Sequence, residues 1–263
     1  MKYVFLKLLS AILVLICTMA LTPFSFAHSS SKSWYIKRNG NEPPSPPPDI
    51  ETLKKHNAFY INDTLCEGEK KLYLTFDAGY ENGNIERIVD ILEKENITAA
   101  FFVLDHLIIK NTDLINRMAD NGHLICNHTK NHKNLSCASK EEISKDLSAL
   151  EDIYREYTGR ELDKYFRFPE GKYSEEALKC VNELGYKTVF WSFAYADWDN
   201  ERQPSREYAI KKILDNTHNG AIILLHPTSK TNADILDELI CTWRNLGYEF
   251  GSLNEIKQYK EVG

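Results

Sequence analysis

The chain has 263 residues, of which 43% are apolar and 27% charged, and its formal charge is −6. That composition suits a globular protein with a core and excludes a disordered or collagen-like chain. The negative balance offers no nucleic-acid surface and no polybasic contact for lipid headgroups.

The first predicted element is a targeting segment. Lys2 and Lys7 lead into uncharged residues 8–21, followed by Pro23 and the small-x-small ending Ser25-Phe26-Ala27. This is the layout of a secretory signal peptide spanning residues 1–27, so the expected mature protein is secreted and keeps no stable membrane contact. Loss of the two lysines leaves it at −8. An uncleaved anchor is disfavoured, because the apolar stretch is short of the roughly 20 residues that span a bilayer. A lipoprotein is disfavoured by the bulky Ile16 before Cys17. The remaining cysteines, Cys66, Cys126, Cys137, Cys180 and Cys241, form an odd, scattered set without a CxxC pair. They read mostly as small buried residues rather than as a disulfide framework.

Residues 28–69 form an N-terminal extension with five prolines between Pro43 and Pro48. Such a run favours extended polyproline geometry and is read as a linker or as a strap over the domain. From residue 70 a rhythm begins. Strands are predicted at 71–76, 99–104, 123–126, 165–168, 187–192 and 221–226. Helices are predicted at 85–95, 114–121, 141–157, 175–184, 206–214 and 233–246. Continuous apolar strands alternating with amphipathic helices specify a parallel sheet covered by helices. The fold class is therefore α/β, a distorted (β/α) barrel in a single domain over residues 70–258. In such barrels the chemistry sits at the C-terminal ends of the strands.

Those strand ends supply Asp77, Asn127-His128, Arg167, Asp197-Trp198 and His226. Each alone has a plain structural reading as a cap, a salt bridge or a buried histidine. Their recurrence at successive strand ends points to one shared rim. His128 and His132, four apart, would lie on one face of a helical turn and suit a zinc-like ion. Two imidazoles remain an incomplete set, since catalytic zinc takes three protein ligands.

TFDAG (75–79), HTKNH (128–132), RFPEG (167–171), DW (197–198) and LLH (224–226) occur in this order. Together they resemble the polysaccharide deacetylases of carbohydrate esterase family 4, which share the NodB homology domain. FDAGYENG, FFVLDH, RFPEGKYSE and FWSFAYADWD look most like the muramic δ-lactam-forming de-N-acetylases of spore peptidoglycan. The resemblance implies a hydrolase that removes acetyl from N-acetylmuramic acid, with peptidoglycan glycan strands as its partner. It also implies the roles. Asp77 would be the general base, braced by Arg167. His226 would be the general acid, oriented by Asp197. His128 and His132 would hold a divalent, zinc-like ion. The Glu170 N–H would stabilise the oxyanion, and Trp198 would stack on a sugar or fill the core.

One position departs from the family pattern TFDDG: Ala78 stands where the third metal ligand is found. Three readings follow: a weaker site completed by water, a substitute ligand such as Glu81 or Asn127, or chemistry carried by Asp77, Arg167 and His226 alone. Two other functions compete with the muramic reading. One is a deacetylase of N-acetylglucosamine residues in peptidoglycan or chitin-like chains. The other is a non-catalytic wall-binding protein that has lost the reaction.

Overall fold

The computed structural model describes residues 30–257. The predicted signal peptide lies outside the described residues, among which no helix is long and apolar enough to cross a membrane. β1 (Lys32–Ser33) is followed by α1 (Ile50–Lys55) and β2 (Ala58–Phe59). Then come β3 (Lys71–Ala78), α2 (Asn84–Lys94), β4 (Ala100–Val103), α3 (Asp105–Lys110), α4 (Thr112–Asp120) and β5 (Leu124–Asn127). The second half holds α5 (Lys140–Thr158), β6 (Asp163–Phe166), β7 (Lys172–Tyr173), α6 (Glu175–Glu183) and β8 (Lys187–Val189). It closes with α7 (Arg206–Leu214), β9 (Ile222–Leu225), α8 (Lys230–Asn245) and β10 (Glu249–Phe250).

The main sheet runs β10-β3-β4-β5-β6-β8-β2, with β9 also on β3, and every ladder in it is parallel. Its two ends meet only through single bridges, Ile61–Ala221 and Phe193–Ile223, so the sheet curls into an incomplete barrel. The helices form because their apolar residues recur at helical spacing. α2 buries Ile85, Ile88, Val89 and Leu92 on one stripe, and each such side chain contributes roughly 1.5–3 kcal/mol. α5 begins at a reciprocal Ser139–Glu142 capping box and ends at a left-handed Gly159, which satisfies otherwise orphaned backbone groups at both ends.

Residues 32–61 are built into this fold. β1 pairs antiparallel with β7, and β2 adds a parallel strand beside β8. The proline segment follows a chain that crosses the domain: Arg38 donates to Ala194 O at 2.5 Å, and Asn41 donates to Leu214 O and Thr217 O at 2.7 and 2.9 Å. β6 and β8 stop earlier than predicted, at Phe166 and Val189. Beyond them Val189 O and Phe190 O accept hydrogen bonds from the Arg167 guanidinium. Among the described residues Cys126 and Cys180 are buried, whereas Cys66, Cys137 and Cys241 are exposed rather than buried.

Candidate active site

β3 delivers Asp77 to the C-terminal rim, and the residue after β6 delivers Arg167 beside it. Arg167 has no exposed surface and donates through Nη1 to Asp77 Oδ1 at 2.7 Å. Its other donors reach Thr75 Oγ1 at 2.8 Å and Val189 O at 3.0 Å. Its guanidinium lies 4.1 Å from the Phe102 ring centroid, a cation–π contact that helps keep a charge indoors. Burial would push the Asp77 carboxyl up, but Arg167, His128 and His226 outweigh it, so its pKa lies below the usual carboxylate value. Asp77 is therefore held as a carboxylate, a form that can accept a proton.

His226 follows β9 and faces the same cleft. Its Nδ1–H donates to Asp197 Oδ1 at 2.7 Å, and its backbone N–H donates to Asp197 Oδ2 at 2.9 Å. Burial lowers the imidazole's affinity for a proton, yet Asp197 more than restores it and the net pKa is raised. This places the Nδ1–H on Asp197 and turns Nε2 toward the cleft, where it carries a second proton in the imidazolium form that the raised pKa favours, the arrangement of a general acid. Asn232, on the first turn of α8, donates to Asp197 Oδ2 at 2.7 Å and to His226 O at 3.0 Å, and it accepts from the Tyr195 hydroxyl. Asn232 escapes sequence reasoning because a helical asparagine carries no signal of what it meets in space.

His128 and His132 are brought together, with ring centroids 5.1 Å apart, but not by a helix. Residues 128–132 are irregular, with positive φ at Thr129 (70°) and His132 (60°). The predicted helical turn is thus corrected. Thr129 N–H is held by Asn127 Oδ1 and Lys130 O accepts from Asp105 N–H, and these contacts override the local spacing. His128 donates Nδ1–H to Arg167 O at 2.9 Å, so its Nε2 lone pair faces Asp77 Oδ2 at 3.5 Å. Burial pushes this imidazole down to about 4 against the pull of Asp77, which keeps it neutral.

The donor set does not complete a three-ligand metal site. Among the described residues no cluster of three His, Cys, Asp or Glu side chains could hold an ion. Ala78 is fully buried in the apolar cluster with Ile85 and Leu107. Neither proposed substitute is free to replace it. Glu81 accepts from the N–H groups of Gly83, Ile85 and Glu86 and so serves the start of α2. Asn127 is buried, bonded to Leu147 O, Tyr186 OH and Thr129 N–H. His128 and His132 therefore provide two imidazoles, and the chemistry below uses protein groups alone.

Asp77, His128, His132 and His226 line a cleft of about 780 Å3, together with Gly79, Tyr80, Leu104, Glu170, Trp191, Ala194, Tyr195, Trp198, Leu224 and Thr228. Trp198 is 61% exposed and lies edge-on to His226, with ring centroids 6.1 Å apart, which removes the core reading. Glu170 sits in the turn Pro169–Gly171 with φ 56°, its carboxylate paired to Lys172 at 2.5 Å. The Glu170 N–H takes no part in the turn's backbone bonds, which run from Gly171 N–H to Phe168 O and from Lys172 N–H to Pro169 O. Tyr80, Trp191 and Tyr195, which sequence reasoning did not select, add three aromatic rings to the cleft's lining.

A family model for polysaccharide deacetylase matches residues 64–189. The peptidoglycan-N-acetylmuramic acid deacetylase PdaA of Bacillus subtilis is 38% identical over 88% of this chain and 87% of its own length. The structure of that protein, described as a family 4 carbohydrate esterase, superposes with a TM-score of 0.81 over 86% of this chain and 97% of the other. A peptidoglycan-N-acetylglucosamine deacetylase of Bacillus cereus is 30% identical over 76% of this chain and 94% of its own. The chain belongs to the polysaccharide deacetylases of carbohydrate esterase family 4, hydrolases of sugar N-acetyl amides.

Proposed function

We propose that this protein is an exported peptidoglycan deacetylase that hydrolyses the N-acetyl group of N-acetylmuramic acid, in the spore cortex, where the freed amine closes onto the lactyl carboxyl as a δ-lactam. The observation that carries the reading is one cleft holding an ionised Asp77 and a protonatable His226, in a chain similar over most of its length to a muramic deacetylase.

In this account Asp77 takes a proton from water as the oxygen attacks the acetyl carbonyl. The carbonyl electrons move onto oxygen, and the Glu170 N–H donates to the oxyanion. When the intermediate collapses, His226 Nε2–H protonates the departing sugar nitrogen and acetate is released. The proton on Asp77 then passes to solvent and His226 is reprotonated, which closes the cycle. Trp198 offers an exposed face for a neighbouring sugar ring. Acetate release from peptide-stripped glycan strands, compared with chitooligosaccharides, tests the choice of sugar. Turnover of the strands supports the muramic reading. Turnover of chitooligosaccharides alone replaces it with the glucosamine reading, and silence on both returns the protein to a wall-binding role.

A further inference from the structure

We propose that Trp34, in the strap that precedes the region matched by the family model, is a positioning residue for the oxyanion turn Pro169–Gly171. The inference rests on the deacetylase reading above and adds a residue outside the five sequence motifs.

The strap meets the turn by backbone, by side chain and by steric contact. Trp34 N–H donates to Gly171 O at 2.7 Å, directly after the pairing of β1 with β7. The Trp34 indole is 7% exposed and stacks on Phe190, with centroids 4.4 Å apart and planes 15° from parallel. Its Nε1–H donates to Trp191 O at 3.0 Å, so it also holds the strand extension that carries a cleft-lining ring. Gly171 has φ 63°, and a Cβ there would lie 2.8 Å from Trp34 Cβ and 3.0 Å from the Trp191 ring. The turn is thus wedged between the two tryptophans.

Glu170 needs such support. A non-glycine residue at φ 56° occupies a sparsely populated conformation, which persists only where the surroundings impose it. Relaxing it would rotate the peptide that carries the Glu170 N–H. The donor would then miss the oxyanion, which exists only after attack, while substrate binding in the open cleft would be little changed. The strap therefore acts on kcat rather than on KM.

The test is steady-state acetate release by Trp34→Ala, Trp34→Phe and Gly171→Ala, with thermal melting as a check on the fold. Trp34→Ala is expected to lower kcat about 10- to 100-fold with KM within about twofold, the scale of a misplaced oxyanion donor. Trp34→Phe keeps the stack on Phe190 and loses only the bond to Trp191 O, so it should recover most of the rate. Gly171→Ala should cost a similar factor to Trp34→Ala, and the double variant should cost less than the product of the two. Unchanged kcat in a folded Trp34→Ala protein, or a loss confined to KM, overturns the proposal. Should Trp34→Ala not fold, unchanged kcat in Gly171→Ala overturns it. A wild-type protein that releases no acetate overturns the deacetylase reading as well, whereas an active wild type beside insensitive variants overturns this proposal alone.

Discussion

On one side of the cleft Asp77 is held by Arg167, a guanidinium without exposed surface enclosed by the sheet and the Phe102 ring. On the other side His226 is held by Asp197 and Asn232, which come from a loop and from the first turn of α8. The Asp77 carboxylate thus depends on one buried guanidinium, and the His226 imidazole on a buried chain of hydrogen bonds through Asp197 and Asn232. A buried charge loses much when its partner is removed. A hydrogen-bonded imidazole instead changes its titration, because the same contacts set its proton affinity. Mutations on the two walls should therefore fail in different ways.

The largest effect is expected at the base. Asp77→Asn should cut acetate release by about 10²–10⁴-fold or more. The substitution should also cost stability, because the Arg167 guanidinium it leaves unpaired is completely buried. Breaking a buried pair costs roughly 3–5 kcal/mol, and the 11% exposure of the Asp77 side chain puts the cost somewhat below that range. Denaturant unfolding checks it, and a variant as stable as wild type would show that Arg167 finds another partner.

Next comes the acid. Because the pKa of His226 is raised, the rate should fall as pH rises through a value above the ordinary histidine 6.5. In Asp197→Asn, burial acts without its counterweight, so the alkaline limb should move below 6.5 and the rate at neutral pH should drop. A limb that stays in place would remove Asp197 from its role. Trp198→Ala should have a smaller effect, several-fold in KM with kcat retained, since the ring is exposed and its contact with His226 is edge-on.

Ala78→Asp should change the rate least. A carboxylate at this fully buried position should lower the melting temperature in chelator. Added zinc should restore it if the new oxygen joins His128 and His132, because a ligand that binds only the native state raises stability. A melting temperature that ignores zinc would show that position 78 cannot reach the two imidazoles.

The sheet and helices were legible because their periodicity is local. α7 was predicted at its observed bounds, and β3, β5 and α5 within two residues. Asp77, Arg167, Asp197 and His226 could be selected because each follows a strand whose apolar run is visible. What stayed hidden depends on distant contacts. β2 is two residues long and exists through its pairing with β8. The conformation of residues 128–132 is imposed by Asn127 and by the segment around Asp105. Glu81 looked like a spare ligand until its three N–H partners at the start of α2 were seen. Trp34 lies far along the chain from the turn it holds, as Asn232 does from Asp197, and no motif links them.

The most direct test of the account is mass analysis of muropeptides recovered after peptide-stripped glycan strands are incubated with wild-type protein and with Asp77→Asn. The account predicts that muramic residues lose acetyl with the wild type and retain it with the variant. Acetyl lost only from glucosamine residues would contradict the assigned sugar, and equal loss with both proteins would contradict Asp77 as the base.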